Sequence, residues 1–245
     1  MSLALGILFL LLLVAALTLW FFLKPRLSGG ADLSLLQTNY AHRGLWDARL
    51  PQASTEAIAL AARLGYGTKI EVRMTRTHTL MAMGAVPIPL THVLSVLNGK
   101  APLMIEIGEK KTNLRLCLLL AKLLDNYEGT FSVVSKDPKM LAWFKNYRPS
   151  FARGQIVSPQ SDFATLYLLR NRLARPDFLV VEKTARANPS VLLLTKLFRV
   201  PCFVTLIDTP KEYHACQRRG DLVIFKNIRP KEPPKKGKQH EQFYL

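Results

Sequence analysis

The chain opens on one long apolar block and then settles into short apolar runs separated by amphipathic segments. Residues 3–23 form an almost unbroken apolar stretch without a charge, long enough to cross a hydrocarbon core of about 30 Å as a helix. Beyond it, segments of strand length and pattern recur at 36–41, 68–74, 79–83, 102–107, 130–135, 152–157, 177–182, 201–207 and 222–225. Between them the apolar spacing turns helical at 55–64, 90–97, 114–124, 138–146, 162–172, 190–198 and 210–219. Gly65 ends the first of these helices, Asn98-Gly99 the second, and Pro138 opens the fourth.

Strands separated by helices pair in parallel, because a parallel neighbour needs a crossover of a dozen residues or so. The gap between 74 and 79 is too short for one, so 68–74 and 79–83 are predicted to form an antiparallel hairpin. Setting the 79–83 strand aside leaves eight strands, and the fold class is α/β: a (β/α)8 TIM-type barrel preceded by one N-terminal transmembrane helix. A doubly wound open sheet is the alternative, but no Gly-rich dinucleotide fingerprint follows the first strand.

The predicted organisation is an anchor at 1–24, a linker at 25–36, the barrel at 37–230 and a basic disordered tail at 231–245. Trp20, Phe21 and Phe22 stand where an interfacial aromatic belt would lie, and Lys24 and Arg26 follow. A cleaved signal peptide competes with this reading, but no Lys or Arg precedes the apolar run and the run is long for a signal sequence. Positive charge on its C-terminal side predicts a single-pass membrane protein with a cytoplasmic barrel. The formal net charge of +17 favours polyanions. Anionic membrane lipids are the nearest, because basic segments beside a bilayer are held by its surface. Nucleic acid is not expected: the basic residues of the tail meet no aromatic until Phe243 and Tyr244. The three cysteines, Cys117, Cys202 and Cys216, form no CxxC pair and read as buried thiols.

In such a barrel the working residues stand at the C-terminal ends of the strands. Those positions carry His42 and Arg43, then Lys69, Glu71 and Arg73, Glu106, Ser135 and Lys136, Glu182 and Lys183, and Asp208. Alternation along the second strand puts Lys69, Glu71 and Arg73 on one face and Thr68, Ile70, Val72 and Met74 on the other. The polar triplet is therefore predicted to face the barrel interior and the apolar set to pack under the helices. Each of these residues has a plain structural reading as a hydrogen-bonded or ion-paired strand end. Together, His42, Arg43, Glu71 and Glu106 offer an imidazole for proton transfer, a guanidinium for phosphate and two carboxylates for a hard cation.

Several segments resemble the glycerophosphodiester phosphodiesterase family. They are Ala41-His42-Arg43-Gly44, Leu64-Gly65-Tyr66-Gly67 before Lys69-Ile70-Glu71-Val72, and Leu103-Met104-Ile105-Glu106-Ile107. Trp143-Phe144 before Arg153-Gly154-Gln155, and Val200 to Val204 before Asn227-Ile228-Arg229-Pro230, fit in order and spacing as well. The resemblance implies a metal-dependent (β/α)8 enzyme that cleaves glycerophosphodiesters into an alcohol and glycerol phosphate. It implies two acid–base histidines, an arginine on the phosphate, and a Glu-x-Asp pair with a later Glu for Mg²⁺ or Ca²⁺.

Under that resemblance His42 and Arg43 match, and Glu106 matches the later metal carboxylate. Glu71 stands where the family has Asp, and Lys69 where it has the first metal Glu. Gln52-Ala53 replaces Glu-Asn, Gly108 replaces Lys, and Gly84-Ala85 falls on the second histidine and its Asp. His78 and His92 are nearby imidazoles, one at the far end of the hairpin strand and one inside a helix. His42 and Arg43 thus stand as catalytic candidates, Arg43 and Lys69 as substrate-binding residues, and Glu71 and Glu106 as metal ligands only where a metal binds. The expected cofactor is none, with the Lys69 ammonium lying between Glu71 and Glu106 in place of the ion. The expected function is a membrane-anchored pseudoenzyme that binds a glycerophosphodiester or phospholipid headgroup. The alternative is an active phosphoric diester hydrolase of lipid metabolism using Mg²⁺ or Ca²⁺.

Overall fold

The computed structural model describes residues 2–26, 34–109 and 111–229. The tail read as disordered, 231–245, and most of the predicted linker lie outside the described residues. Helix α1 (Ser2–Leu23) carries the long apolar run and is long and apolar enough to cross a membrane. Its hydroxyl at Thr18 donates back to the carbonyl of Val14 at 2.7 Å, so no polar group on that turn needs an outside partner.

The elements that follow are β1 (Tyr40–His42), α2 (Thr55–Arg63), β2 (Gly67–Met74), β3 (Leu80–Met83), β4 (Ile88–Pro89), α3 (Leu90–Leu97) and β5 (Leu103–Ile107). Next come α4 (Leu114–Leu124), β6 (Phe131–Ser135), α5 (Pro138–Tyr147), β7 (Ala152–Val157), α6 (Phe163–Leu166) and α7 (Asn171–Ala174). The chain closes with β8 (Phe178–Glu182), α8 (Pro189–Lys196), β9 (Cys202–Ile207), α9 (Pro210–Arg218) and β10 (Leu222–Phe225). The sheet runs β1-β10-β9-β8-β7-β6-β5-β2, all parallel, and β1 pairs with β2 to close it. This is the expected eight-stranded barrel. The hairpin is also present: β3 runs antiparallel to the upper half of β2, and the two-residue β4 adds to its edge.

Side-chain caps fix where the helices start. Ser54, Asn113, Asp137, Asp162, Asn188 and Thr209 each accept a backbone N–H in the first turn of the helix they precede. Pro138, Pro189 and Pro210 then occupy first-turn positions where no N–H is needed. The predicted helix at 162–172 divides into α6 and α7 because Leu168 adopts a left-handed φ of 60° while its side chain is buried.

The first strand is shorter than the predicted 36–41 segment. Residues 34–37 form a 3-10 turn, and only Tyr40–His42 joins the sheet. Leu35 and Leu36 pack instead with Tyr40, Phe178 and Phe203 inside the barrel, near the end where the strands begin. The Tyr40 hydroxyl donates to the Leu35 carbonyl at 3.1 Å. A Cβ on Gly67 would stand 2.5 Å from the Tyr40 ring, and one on Gly154 would stand 2.4 Å from the Phe178 ring. Large rings therefore fill the interior only because their neighbours are glycines. Outside the barrel, Ile70 and Val72 pack with residues of α3, α4 and α5, as the alternation along β2 requires. All three cysteines are free and buried, and burial pushes the Cys117 and Cys202 thiols up to about 12.

Candidate functional site

Strand register brings the candidate residues to one end of the barrel. His42 stands beside Lys69 across β1 and β2, and Glu71 stands beside Glu106 across β2 and β5. Lys69 and Glu71, two residues apart on β2, share the inner face. The Lys69 ammonium is buried and donates to the Glu106 carboxylate. Glu71 is held elsewhere: Arg43 reaches its Oε2 at 3.2 Å, and Arg73 reaches its Oε1 at 2.6 Å. The ammonium therefore does not lie between the two carboxylates. It neutralises Glu106, and two guanidiniums neutralise Glu71.

Arg43 reaches inward because its backbone turns sharply. It takes φ 60° and Gly44 follows at φ 81°, so two consecutive residues are left-handed. For a non-glycine this costs on the order of 1 kcal/mol. Two hydrogen bonds hold it: the Arg43 N–H donates to the Lys69 carbonyl at 2.7 Å, and the Ala53 N–H donates to the Arg43 carbonyl at 2.9 Å. Gly44 cannot carry a side chain, since a Cβ would lie 2.7 Å from the Ala57 carbonyl carbon. The guanidinium also donates to Gln52 Oε1 at 3.0 Å, so Gln52 orients Arg43 toward Glu71.

The His42 imidazole is half-buried beside these cations, and its Nδ1 is shut off from solvent with no hydrogen-bond partner among the described residues. Burial, then the charges of Lys69, Arg43 and Lys226, pull its pKa down to about 3. The ring is neutral throughout the physiological range. A proton-transfer group works best with a pKa near the operating pH. Lys226 follows β10, whose Phe225 pairs with Ala41, and that register places it beside His42.

Two glycines show how the site is closed. A Cβ on Gly84 would sit 2.3 Å from the Gln52 carbonyl oxygen and 2.6 Å from the Ala53 Cβ. The Ala85 N–H donates to the same carbonyl at 3.0 Å. The 52–53 loop therefore occupies the space into which a side chain at 84 would project. At Gly108 a Cβ would lie 2.3 Å from Glu71 Oε1. The Glu71 side chain thus occupies the space that a side chain at 108 would need.

A cleft of about 830 Å³ opens above the two carboxylates, with Arg73, Lys111, Lys136 and Arg170 along its walls. Lys136 pairs with Glu182 at 3.6 Å on the rim. Lys183 pairs with Asp208 at 3.8 Å and Glu212 at 3.0 Å. The Ser135 hydroxyl accepts from the Asp137 N–H at 3.0 Å. These residues of the sequence-derived set shape the rim and do not join the inner cluster. His78 is exposed in the β2–β3 turn and His92 is exposed on α3. Among the described residues no three His, Cys, Asp or Glu side chains gather closely enough to hold an ion. The roles of Gln52 and Lys226 were not predicted. The position of Lys226 directly after the last strand was the available signal; the Gln52 contact depends on a loop that carries no motif.

A closed parallel barrel of eight strands defines the class of fold, and known structures share it. No family model matches the sequence, and no curated protein sequence matches it. A glycerophosphodiester phosphodiesterase from Parabacteroides distasonis superposes with a TM-score of 0.65 at 16% identity, covering 78% of this chain and 93% of that one. An Oleispira antarctica phosphodiesterase in complex with the product sn-glycerol-3-phosphate gives a TM-score of 0.63 at 14% identity, covering 76% and 91%. A calcium-dependent phosphoinositol-specific phospholipase C from Pseudomonas gives 0.51 at 7% identity, covering 83% and 90%. The fold of this chain is that of the glycerophosphodiester phosphodiesterases.

Proposed function

We propose that the chain is a divergent, single-pass member of the glycerophosphodiester phosphodiesterase family whose mouth binds a phosphodiester headgroup without metal-dependent hydrolysis. The observation that carries this reading is the buried Lys69 ammonium on Glu106. A divalent cation needs several oxygen ligands with uncompensated negative charge. Here one carboxylate faces an ammonium and the other faces two guanidiniums. Seating an ion would require both pairs to break beside a buried positive charge, so the residues present do not fit Mg²⁺ or Ca²⁺. Three cations against two carboxylates leave the inner cluster with an excess of one positive charge, which suits an anion. Arg43 and Arg73, both partly exposed, are placed to turn from Glu71 to a phosphate. The neutral His42 can donate or accept one hydrogen bond.

The test uses the full chain in detergent. Calorimetric titration with sn-glycerol 3-phosphate and glycerophosphocholine is expected to show binding that Mg²⁺ and Ca²⁺ leave unchanged. A parallel hydrolysis assay is expected to show no turnover. Metal-dependent turnover that disappears in His42→Ala would establish the active hydrolase instead. Absence of binding to either ligand would remove the headgroup reading.

A further inference from the structure

We propose that the strand-start end of the barrel seats on an anionic bilayer surface, so that the strand-end mouth opens away from the membrane that holds α1. This inference rests on α1 crossing a bilayer. The first observation is where α1 joins the barrel. Its last turn is not a free tether. Leu23 is buried, its carbonyl accepts from Asn171 Nδ2 at 2.8 Å, and the Lys24 carbonyl accepts from Arg175 at 3.1 Å. Arg26 pairs with Asp177 at 3.3 Å, and its N–H donates to the Pro176 carbonyl at 3.4 Å. The Arg172 guanidinium lies 5.7 Å and 5.4 Å from the rings of Phe21 and Phe22. Residues 171–177 lead directly into the first residue of β8, so every one of these contacts is at the end where the strands begin.

The rest of α1 is exposed along its length, so the helix leaves the body from that end. Lys24 to Arg26 are fixed within three residues of the helix terminus. The bilayer surface must then lie next to the same end. The cytoplasmic or opposite sidedness of the barrel does not alter this, because it depends only on the joint.

The second observation is what that end presents. Arg63, Lys100, Lys196 and Arg218 are exposed where helices finish or strands are about to begin. Cations at helix C-termini also complement the helix dipole, so they alone do not identify a membrane face. Apolar residues at the same end have no such explanation. Leu64 is 47% exposed, Tyr147 60% and Leu197 67%, each directly at the end of α2, α5 or α8. Cations interleaved with aliphatic and tyrosine side chains are the composition of an interfacial belt. The acidic residues there are largely paired: Asp125 with Arg148 at 2.7 Å, Asp177 with Arg26, and Asp221 with Arg186 at 2.7 Å.

A mouth on the opposite end cannot reach headgroups of the bilayer beneath it. The ligand source is then the aqueous phase: a water-soluble phosphodiester. The experiment uses full-length chain in anionic nanodiscs, with a fluorophore on Leu197→Cys or on Val86→Cys. Val86 lies between β3 and β4 beside the mouth and is exposed. The three native thiols are buried, so the engineered cysteine takes the label.

Headgroup-nitroxide lipid is expected to quench the label at 197 and spare that at 86. Lys196→Glu with Arg218→Glu should weaken the seating equilibrium by about fivefold per lost contact, read as reduced quenching at 197. Quenching at 86 with a water-exposed 197, or equal quenching at both, overturns the seating. Recovery of the chain free of nanodiscs would overturn the reading of α1 as well, which separates the two failures. Titration of the same discs with glycerophosphocholine should give binding; saturation by disc lipid alone would overturn the aqueous source.

Discussion

The two ends of the barrel carry cations in different ways. At the mouth, Lys69, Arg43 and Arg73 turn toward Glu106 and Glu71, and all but one of the positive charges are balanced within the protein. At the strand-start end, Arg63, Lys100, Lys196 and Arg218 project to the exterior beside Leu64, Tyr147 and Leu197. The mouth is a packed device in which glycines make room for their neighbours: Gly84 for the 52–53 loop, Gly108 for Glu71. The other end is a surface, where composition matters more than placement. A change at the mouth should therefore disturb folding as well as ligand binding, whereas a change at the strand-start end should alter only what the protein sits on.

The largest expected effect is at Gly84. Gly84→His supplies an imidazole at that position, but its Cβ meets the Gln52 backbone. Overpacking against main chain should cost about 3 kcal/mol, read as a lower urea midpoint, with no gain of hydrolysis. A stable variant with restored turnover would break the account of a rebuilt mouth. Next comes Lys69→Met, which leaves Glu106 without its cation. A loss of about 2–3 kcal/mol is expected, largely recovered in Lys69→Met with Glu106→Gln, because the pair rather than either residue is the unit. Phosphate-ester binding should fall in both variants.

The third effect is a pH dependence. His42 is held neutral in the folded protein to about pH 3, whereas an unfolded histidine protonates near 6.5. The unfolded state then binds more protons below 6.5, so stability is complete above that pH and falls as the solution is acidified toward 3. Between pH 7 and 5 the loss should be about 2 kcal/mol, and His42→Gln should flatten it. A wild-type profile no steeper than that of the variant would place the imidazole in a wetter setting. The smallest effect is at the opposite end: Arg63→Glu should change stability by no more than about 0.5 kcal/mol. Its effect should be visible only in vesicle binding, as a weaker preference for anionic lipid.

Much of the architecture was legible in the chain. The alternation of apolar runs with helical periods led to eight parallel strands and one hairpin, because period and length are properties of a segment and its neighbours. Pro138 is equally local, and it marked the start of α5. The inward face of β2 followed from its alternation. The full length of the first strand did not: 34–37 turns so that Leu35 and Leu36 fill the barrel interior from below, and only Tyr40–His42 joins the sheet.

The sequence by itself thus determined the fold class, the apolar N-terminal helix and the identity of the residues at the strand ends. Tertiary structure alone decided which charges meet. Lys69 was as able to bridge Glu71 as Glu106; the choice came from Arg43, whose left-handed backbone and Gln52 contact bring it to Glu71 from another strand. The direction of the mouth relative to α1 was likewise beyond the sequence, because it depends on Leu23 and Arg26 meeting residues about 150 positions later. Local patterns follow from short-range periodicity, whereas charge pairing and orientation follow from closure of the barrel, which brings together residues whose spacing along the chain carries no signal.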